Sequence, residues 1–363
     1  MDISTDLPSN GLSAWALVIS THRRREALML CLQAALAQTR PPAEVIIVDA
    51  SPDWHETRQQ VLDEIAPLSP QARWEYVQAK RPSLPSQRNQ GIALATAPIL
   101  FMIDDDSLMY PDCAEEILKV YAADTDQRIA GVGAAEVAAP PGTDADFGDA
   151  HTEQPAPWAL QRLRNALRWN VAQFFDRGPN SFLPYDGKWP DAAIPQSCAH
   201  LDLAPARALN GFRMTFRRQA IAPGGFVDWF VGYAPLEDMD GSHRASRHGM
   251  LVNSNRARLC HLTFRGGRPT HYSAAAQWVM SGAVLHTVFA SNRPAMARAW
   301  RQRVNRFLLL ELAKDLAKGR LSLPGFRGIL HGSRHLRQIY SMTPDQLEQW
   351  YPRVQKSLQV RCA

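Results

Sequence analysis

Apolar positions in the first hundred residues alternate between two rhythms. Trp15–Ser20, Glu44–Val48 and Ile99–Ile103 are short, nearly unbroken apolar runs, the pattern of strands buried on both faces. Arg73–Val77 alternates and predicts another strand. Between these runs, Arg25–Gln38, Asp53–Ile65 and Pro85–Ala95 place apolar residues at helical spacing, and Pro111–Ala122 does so after the last. Arg40-Pro41-Pro42 is a helix stop. Strand and helix alternating over short connections predict a doubly wound α/β sheet.

The rhythm then changes. Ile129–Ala138 predicts a strand and Pro140–Asp149 a loop. Pro157–Phe175 carries Trp158, Leu160, Leu163, Leu167, Val171 and Phe174 on one helical face, with Arg162, Arg164 and Arg168 elsewhere. That helix either packs on the core or lies in a membrane interface. Gly178–Pro205, rich in proline and aromatics, predicts a long functional loop. A strand follows within Leu251–Leu262, and the remainder reads as mainly helical.

Length and composition add bounds. The 363 residues suggest two domains, or one with an appendage, and 45% apolar with 21% charged residues is the composition of a globular protein. The five cysteines are scattered without a CxxC pair, so neither a disulfide framework nor a zinc site is expected, and a reducing cytoplasm is. Met1–Asn10 has no signal-peptide pattern. Tyr272–Ala290 is the longest apolar stretch, but Gln277 and His286 interrupt it, which predicts a buried helix and not a spanning one.

Charge is unevenly placed. Residues 266–363 hold 15 Lys and Arg against 4 Asp and Glu, a net +11, and the rest of the chain nets −6. A basic tail either contacts an anionic surface, such as lipid at the inner face of a membrane or a phosphorylated acceptor, or is a set of solvated helix faces. Its apolar stripe Val304, Phe307, Leu308, Leu312 and Leu316 is compatible with packing on the body, membrane contact or a homodimer. No nucleic-acid partner is expected, because no recognised motif or aromatic stacking platform accompanies the cations.

The candidate chemistry begins where Ile99–Ile103 ends in Asp104-Asp105-Asp106. Three adjacent carboxylates repel and need a cation or solvent. Ligands of open α/β sheets bind beyond the carboxyl ends of strands, so a divalent ion carrying a phosphorylated substrate fits there. The alternative is an acidic turn before a helix at Pro111, capped by Asp112. Glu237-Asp238-Met239-Asp240 is a second acidic cluster.

Six segments in order resemble one family: WALVISTHRRREAL from Trp15, AEVIIVDASPD from Ala43, SLPSQRNQGIALATAPILFMIDDDSLMYPDCAEEI from Ser83, ALNGFRMTFRRQAI from Ala208, GYAPLEDMDGSHRASRHG from Gly232 and LCHLTFRGGR from Leu259. They are similar to the family 2 nucleotide-sugar glycosyltransferases of the GT-A fold. The resemblance implies a Rossmann-like, doubly wound mixed sheet with a C-terminal helical region. It implies a catalytic domain over residues 1–265, with a nucleotide-sugar half of about 12–135 and an acceptor half of about 136–265, then a helical region over 266–363. The implied reaction is inverting, metal-dependent transfer of a single sugar from a nucleoside diphosphate to a glycan, lipid-linked or small-molecule acceptor.

Sugar transfer builds positive character at the anomeric carbon and negative charge on the diphosphate, which Mn²⁺ or Mg²⁺ on carboxylates offsets. By resemblance Asp104 and Asp106 hold the metal, with His261 completing its shell or touching the diphosphate. Thr21, Asp49, Arg88, Asp104, Asp105 and Gly211 line the donor, Asp105 ranking below its neighbours. The family often has a second acid after Asp49. Ala50 stands there, which leaves the base open, with Ser51 a candidate substitute. Asp238 is the implied general base and Glu237 its positioning partner, with Asp240 starting the next helix. Trp229, Phe230 and Tyr233 either floor the acceptor site or pack in the core. Arg265-Gly266-Gly267-Arg268 is either a mobile loop over the diphosphate or a plain turn.

Asn165-x-x-Arg168-Trp169 nearly matches the processive synthases' motif, but precedes the acidic cluster instead of following it. Single addition is therefore expected. Two alternatives stay open. A nucleotidyltransferase would need glycines that Thr21-His22-Arg23-Arg24-Arg25 lacks. An inactive nucleotide- or glycan-binding protein would tolerate loss of Asp238.

Overall fold

A computed structural model describes residues 14–142, 182–262 and 269–360. Pro157–Phe175, the Asn165 motif and Arg265–Arg268 lie outside the described residues. The chain divides into two units. The first comprises Met1–Pro141, Pro190–Asp228 and Gly241–Gly267, and the second Gly142–Trp189, Trp229–Asp240 and Arg268–Ala363.

The first unit is a nine-stranded mixed sheet. Its strands are β1 (Trp15–Thr21), β2 (Glu44–Asp49), β3 (Arg73–Gln78), β4 (Ile99–Asp104), β5 (Ser107–Met109), β6 (Ile129–Val137), β7 (Leu203–Ala206), β8 (Met214–Arg217) and β9 (Met250–His261). The order is β3-β2-β1-β4-β8-β6-β9-β5, with β7 on β9. β1 to β4 pair in parallel, and β8 runs antiparallel between β4 and β6. The order turns back at β1, between β2 and β4. The carboxyl ends of β1 and β4 therefore form a topological switch point, the usual ligand crevice of such sheets.

Alternation along β1 builds two cores. Trp15, Leu17 and Ile19 face α1 (Arg25–Leu36) and α4 (Cys113–Ala123), against Leu28, Leu32, Ile117 and Tyr121. Ala16 and Val18 face the other way, toward Ile92 of α3 (Leu84–Leu94) and Phe216. Gly91 makes that approach possible, since a Cβ there would lie 2.3 Å from Val18 Cγ1. At the end of β8, Arg217 forms a buried pair at 3.0 Å with Asp124, which follows α4.

The elements differ from the sequence reading mainly at their ends. β1, β2, β3 and β4 each run one residue further, to Thr21, Asp49, Gln78 and Asp104, because ladder bonds continue past the last apolar residue. The helix expected over Asp53–Ile65 is α-helical as α2 (Trp54–Gln60), widens over Val61–Ile65 and tightens at Ala66–Leu68. Pro67 has no N–H to donate to a continuing ladder. The helix expected from Pro111 starts at Cys113, whose N–H closes a turn on the Tyr110 carbonyl, and Asp112 makes no side-chain cap. β5 was not expected, being only three residues long. In the expected loop Gly178–Pro205, the described part holds a turn at Pro184–Gly187, one turn of 3-10 helix, Gln196–Cys198, and the start of β7.

α5 (Arg218–Ile221) follows β8, and α6 (Glu237–Ala245) starts in the second unit and ends in the first. Among the described residues, the rest of the second unit's regular structure is helical: α7 (His271–Phe289), α8 (Arg293–Ala317), α9 (Pro324–Ser341) and α10 (Pro344–Val360). α7 is the buried helix expected over Tyr272–Ala290, with Gln277 and His286 fully enclosed. Gly328 and Gly332 bring α9 against it; Cβ atoms there would lie 2.4 Å and 2.7 Å from the carbonyls of Tyr272 and Ala276. The four cysteines among the described residues are buried and free. No helix among the described residues is long and apolar enough to cross a membrane.

Candidate functional site

The ends of β1, β2 and β4 converge on a polar cluster in the first unit. β1 and β4 are in register with Ser20 opposite Asp104, and β1 and β2 with Thr21 opposite Asp49. Gln87, on α3, donates to the carbonyls of Thr21 at 2.9 Å and Val48 at 2.8 Å, fixing where β1 and β2 end.

Beside this edge lies a cavity of about 550 Å³, lined by Thr21, Arg23, Arg24, Asp49, Ser51 and neighbours as far as Thr57. Its volume suits a small molecule. Asp49 is buried in its wall and fully engaged. The Ser51 N–H donates to Oδ1 at 2.7 Å and the Tyr76 hydroxyl to Oδ2 at 2.6 Å. Burial and Asp49 together push the Tyr76 phenol far up, so it remains a donor. Ser51 Oγ accepts the Arg23 N–H at 2.7 Å, and Arg23 takes a left-handed φ of 55°. That conformation is costly for a side-chain-bearing residue and turns the chain just before Arg24. Arg25 leaves toward α2, pairing with Asp53 and Glu56 at 3.0 and 3.1 Å.

The three aspartates separate by partner. Asp104, a third exposed at its side chain, meets the Arg88 guanidinium at 3.0 Å. Arg88 is itself buried, also donates to the Gly211 carbonyl at 3.0 Å, and lies 5.5 Å over the Phe226 ring. It is therefore no helix-surface arginine. Asp105 points inward, accepting from the Thr21 hydroxyl at 2.7 Å and Arg24 at 3.0 Å. Burial pushes its carboxyl up to about 6, while Thr21 and Arg24 pull the other way. Asp106 is fully buried, with Arg24 3.3 Å from Oδ2 and His261 Nε2 3.0 Å from Oδ1.

His261 arrives from the far side of the sheet. β9 pairs antiparallel with β5, setting His261 opposite Ser107. The Leu262 N–H donates to the Asp106 carbonyl at 2.9 Å. The imidazole stacks flat on Phe212, centroids 4.4 Å apart and planes 5° from parallel. One ligand atom each from Asp104, Asp106 and His261 lies within 4.8 Å of the others. Two carboxylates and an imidazole, with room for solvent or substrate oxygens at partly exposed Asp104, form a donor set that fits a divalent ion.

The second acidic cluster starts α6 in the second unit. Leu236 has φ 75°, placing a strained residue directly before it. Glu237 is buried, and half-buried Asp238 accepts the Met239 N–H at 2.9 Å. Asp240 is fully buried within the helix's first turn and accepts from the Tyr185 hydroxyl. Phe230 is core, packed at 5.0 Å on Tyr351, whereas Tyr233 is 46% exposed and Trp229 half-buried.

Sequence reasoning passed over Arg24, Gln87, Tyr76 and Phe212 as individuals. Arg24 is the largest omission, because it links the cavity to two aspartates.

Residues 16–168 match the sequence profile of glycosyl transferase family 2. EpsH of Bacillus subtilis (strain 168), named as a glycosyltransferase, is 26% identical over 155 residues, covering 41% of this chain and 42% of that one. The chain thus matches less than half the length of that relative. Among solved structures, S. aureus TarS 1–349 in complex with UDP-GlcNAc superposes with a TM-score of 0.50 at 11% identity, covering 96% of this chain and 88% of that one. The mannosyltransferase PcManGT from Pyrobaculum calidifontis, in complex with GDP-Man and Mn²⁺, gives 0.48 at 14% identity, covering 89% and 86%.

Proposed function

We propose that this chain, whose residues 16–168 match glycosyl transferase family 2 and whose sheet has the GT-A fold, is an inverting, metal-dependent glycosyltransferase. It moves one sugar from a nucleoside diphosphate to a glycan, lipid-linked or small-molecule acceptor. The observation that carries this reading is the grouping of Asp104, Asp106 and His261 at the switch point, beside a nucleotide-sized cavity.

Asp104, Asp106 and His261 would hold Mn²⁺ or Mg²⁺, which when bound neutralises the diphosphate leaving group. Thr21 and Asp49 present the polar wall of the cavity to the nucleoside. Arg88 pairs with Asp104 and holds the Gly211 carbonyl, in the turn before β8, against which the sugar would lie. Asp105, turned to Thr21 and Arg24, supports the cavity wall from behind. Asp238 takes the proton of the acceptor hydroxyl as it attacks, and Glu237 positions it. An imidazole beside the two aspartates and the partly exposed Asp104 carboxylate support the metal role. Placement of Asp238 at a helix start after a strained residue supports the base role.

The test is a panel of nucleotide sugars, assayed for donor cleavage with Mn²⁺, Mg²⁺ or chelator, with product configuration read by NMR. One donor is expected to turn over only with metal, giving an inverted product. Asp238→Asn should keep donor affinity within about twofold while turnover falls at least about a hundredfold. Binding of a donor with no cleavage under any metal or acceptor condition would favour a binding protein instead.

A further inference from the structure

We propose that the outward face of α8 docks on an anionic lipid surface. Residues 293–341 carry eleven Lys and Arg but only two acids, Glu311 and Asp315. Both acids are turned inward, 8% and 0% exposed. Glu311 pairs with His271 at 2.9 Å and Lys314 at 2.9 Å, and Asp315 accepts the Phe326 N–H at 3.0 Å at the start of α9. Holding the helices together thus uses both carboxylates of this stretch, and its exposed surface is left cationic.

The arrangement along α8 gives the face its character. Arg298, Gln302, Arg306, Leu309, Ala313 and Leu316 follow one another at steps of three and four and are all exposed, so they form one stripe. Its first half is basic and its second apolar. Leu309 and Leu316 are each 57% exposed, and Leu321, just beyond the helix, is 87% exposed. Exposed Lys314 and Lys318 flank the apolar half. Leucines rimmed by lysines are what a helix lying in a headgroup layer needs: apolar side chains to insert, cations for the phosphates. A nucleic acid would match the cations but gains nothing from exposed leucines, which offer no stacking face. The face belongs to the helical unit alone and does not rest on the donor chemistry above.

Sedimentation of the full chain with phosphatidylcholine vesicles, with and without phosphatidylglycerol, tests the proposal at low and high ionic strength. Binding is expected only with phosphatidylglycerol and is expected to weaken steeply with salt. The triple exchange Arg298→Gln, Arg306→Gln, Lys318→Gln should lower affinity about a hundredfold, from a factor of roughly five per charge. Leu309→Gln with Leu316→Gln should lower it about tenfold, from partial burial of two leucines. All five side chains are exposed, so the fold is not at stake. No binding to phosphatidylglycerol vesicles at low salt, or binding untouched by either set of exchanges, would overturn the proposal. So would tighter binding to a duplex oligonucleotide that the leucine exchanges leave unchanged.

Discussion

Arg24→Gln removes a cation that bridges Asp105 and Asp106. Its Nη1 lies 3.0 Å from Asp105 Oδ1 and 3.3 Å from Asp106 Oδ2, with side-chain exposures of 17%, 5% and 0% for the three residues. At an effective dielectric constant of about 20, one such pair is worth on the order of 5 kcal/mol of Coulomb energy, much of it offset by desolvation. Removing one partner leaves the other charges buried, which typically costs about 3–5 kcal/mol. We take the lower end, about 3 kcal/mol, because His261 and Arg88 still face the cluster. For a domain of this size, that is a fall in Tm of roughly 6–12 °C. Thermal melts in chelator and in saturating Mn²⁺ read the effect. The gap between Arg24→Gln and wild type should be full in chelator and should shrink with Mn²⁺, which supplies the missing positive charge. An equal Tm in chelator would refute the electrostatic reading of the cluster. A gap that Mn²⁺ leaves untouched would refute the idea that ion and guanidinium serve the same carboxylates.

Other consequences follow from the packing. His286 is fully enclosed and donates from Nε2 to the Leu183 carbonyl at 2.9 Å; burial pulls its pKa down to about 4 from 6.5. The unfolded chain therefore takes up a proton first as pH falls through 6.5, and stability drops by about 3 kcal/mol down to pH about 4. In His286→Phe this slope should be missing, so urea unfolding across that range should show the two proteins converging as pH falls; parallel curves would contradict it. Gly91→Ala places a methyl 2.3 Å from Val18 Cγ1 and should cost about 1–3 kcal/mol in the same unfolding assay. Phe212→Leu removes the ring that holds His261 flat at 4.4 Å and should weaken Mn²⁺ binding about tenfold by calorimetry.

The strands were legible because their apolar runs stop abruptly at Thr21, Asp49 and Asp104, and a buried parallel strand needs little else to declare itself. The Asp104–Asp106 spacing at a strand end was legible for the same reason. That His261 would join them rests on a register, Ser107 opposite His261, set by a three-residue strand too short to leave a pattern. Arg24 was hidden for a different reason. Arg23, Arg24 and Arg25 are equivalent in sequence, and only the left-handed turn at Arg23 sends one guanidinium to the aspartates and another to Asp53. Gln87 reads as an ordinary polar position of a short helix, and Arg88 stands out there only by family resemblance. Their roles come from three-dimensional neighbours on β1, β2 and β4. The inward turn of Glu311 and Asp315 was equally invisible, since charge counting cannot tell a buried acid from a solvated one.

Calorimetric titration of Mn²⁺ into the protein with a nucleoside diphosphate present tests the central claim most directly. The account predicts saturable binding that falls at least about a hundredfold in Asp106→Asn, and comparably in His261→Phe, with the nucleotide's own affinity falling alongside. Unchanged Mn²⁺ affinity in Asp106→Asn would contradict it.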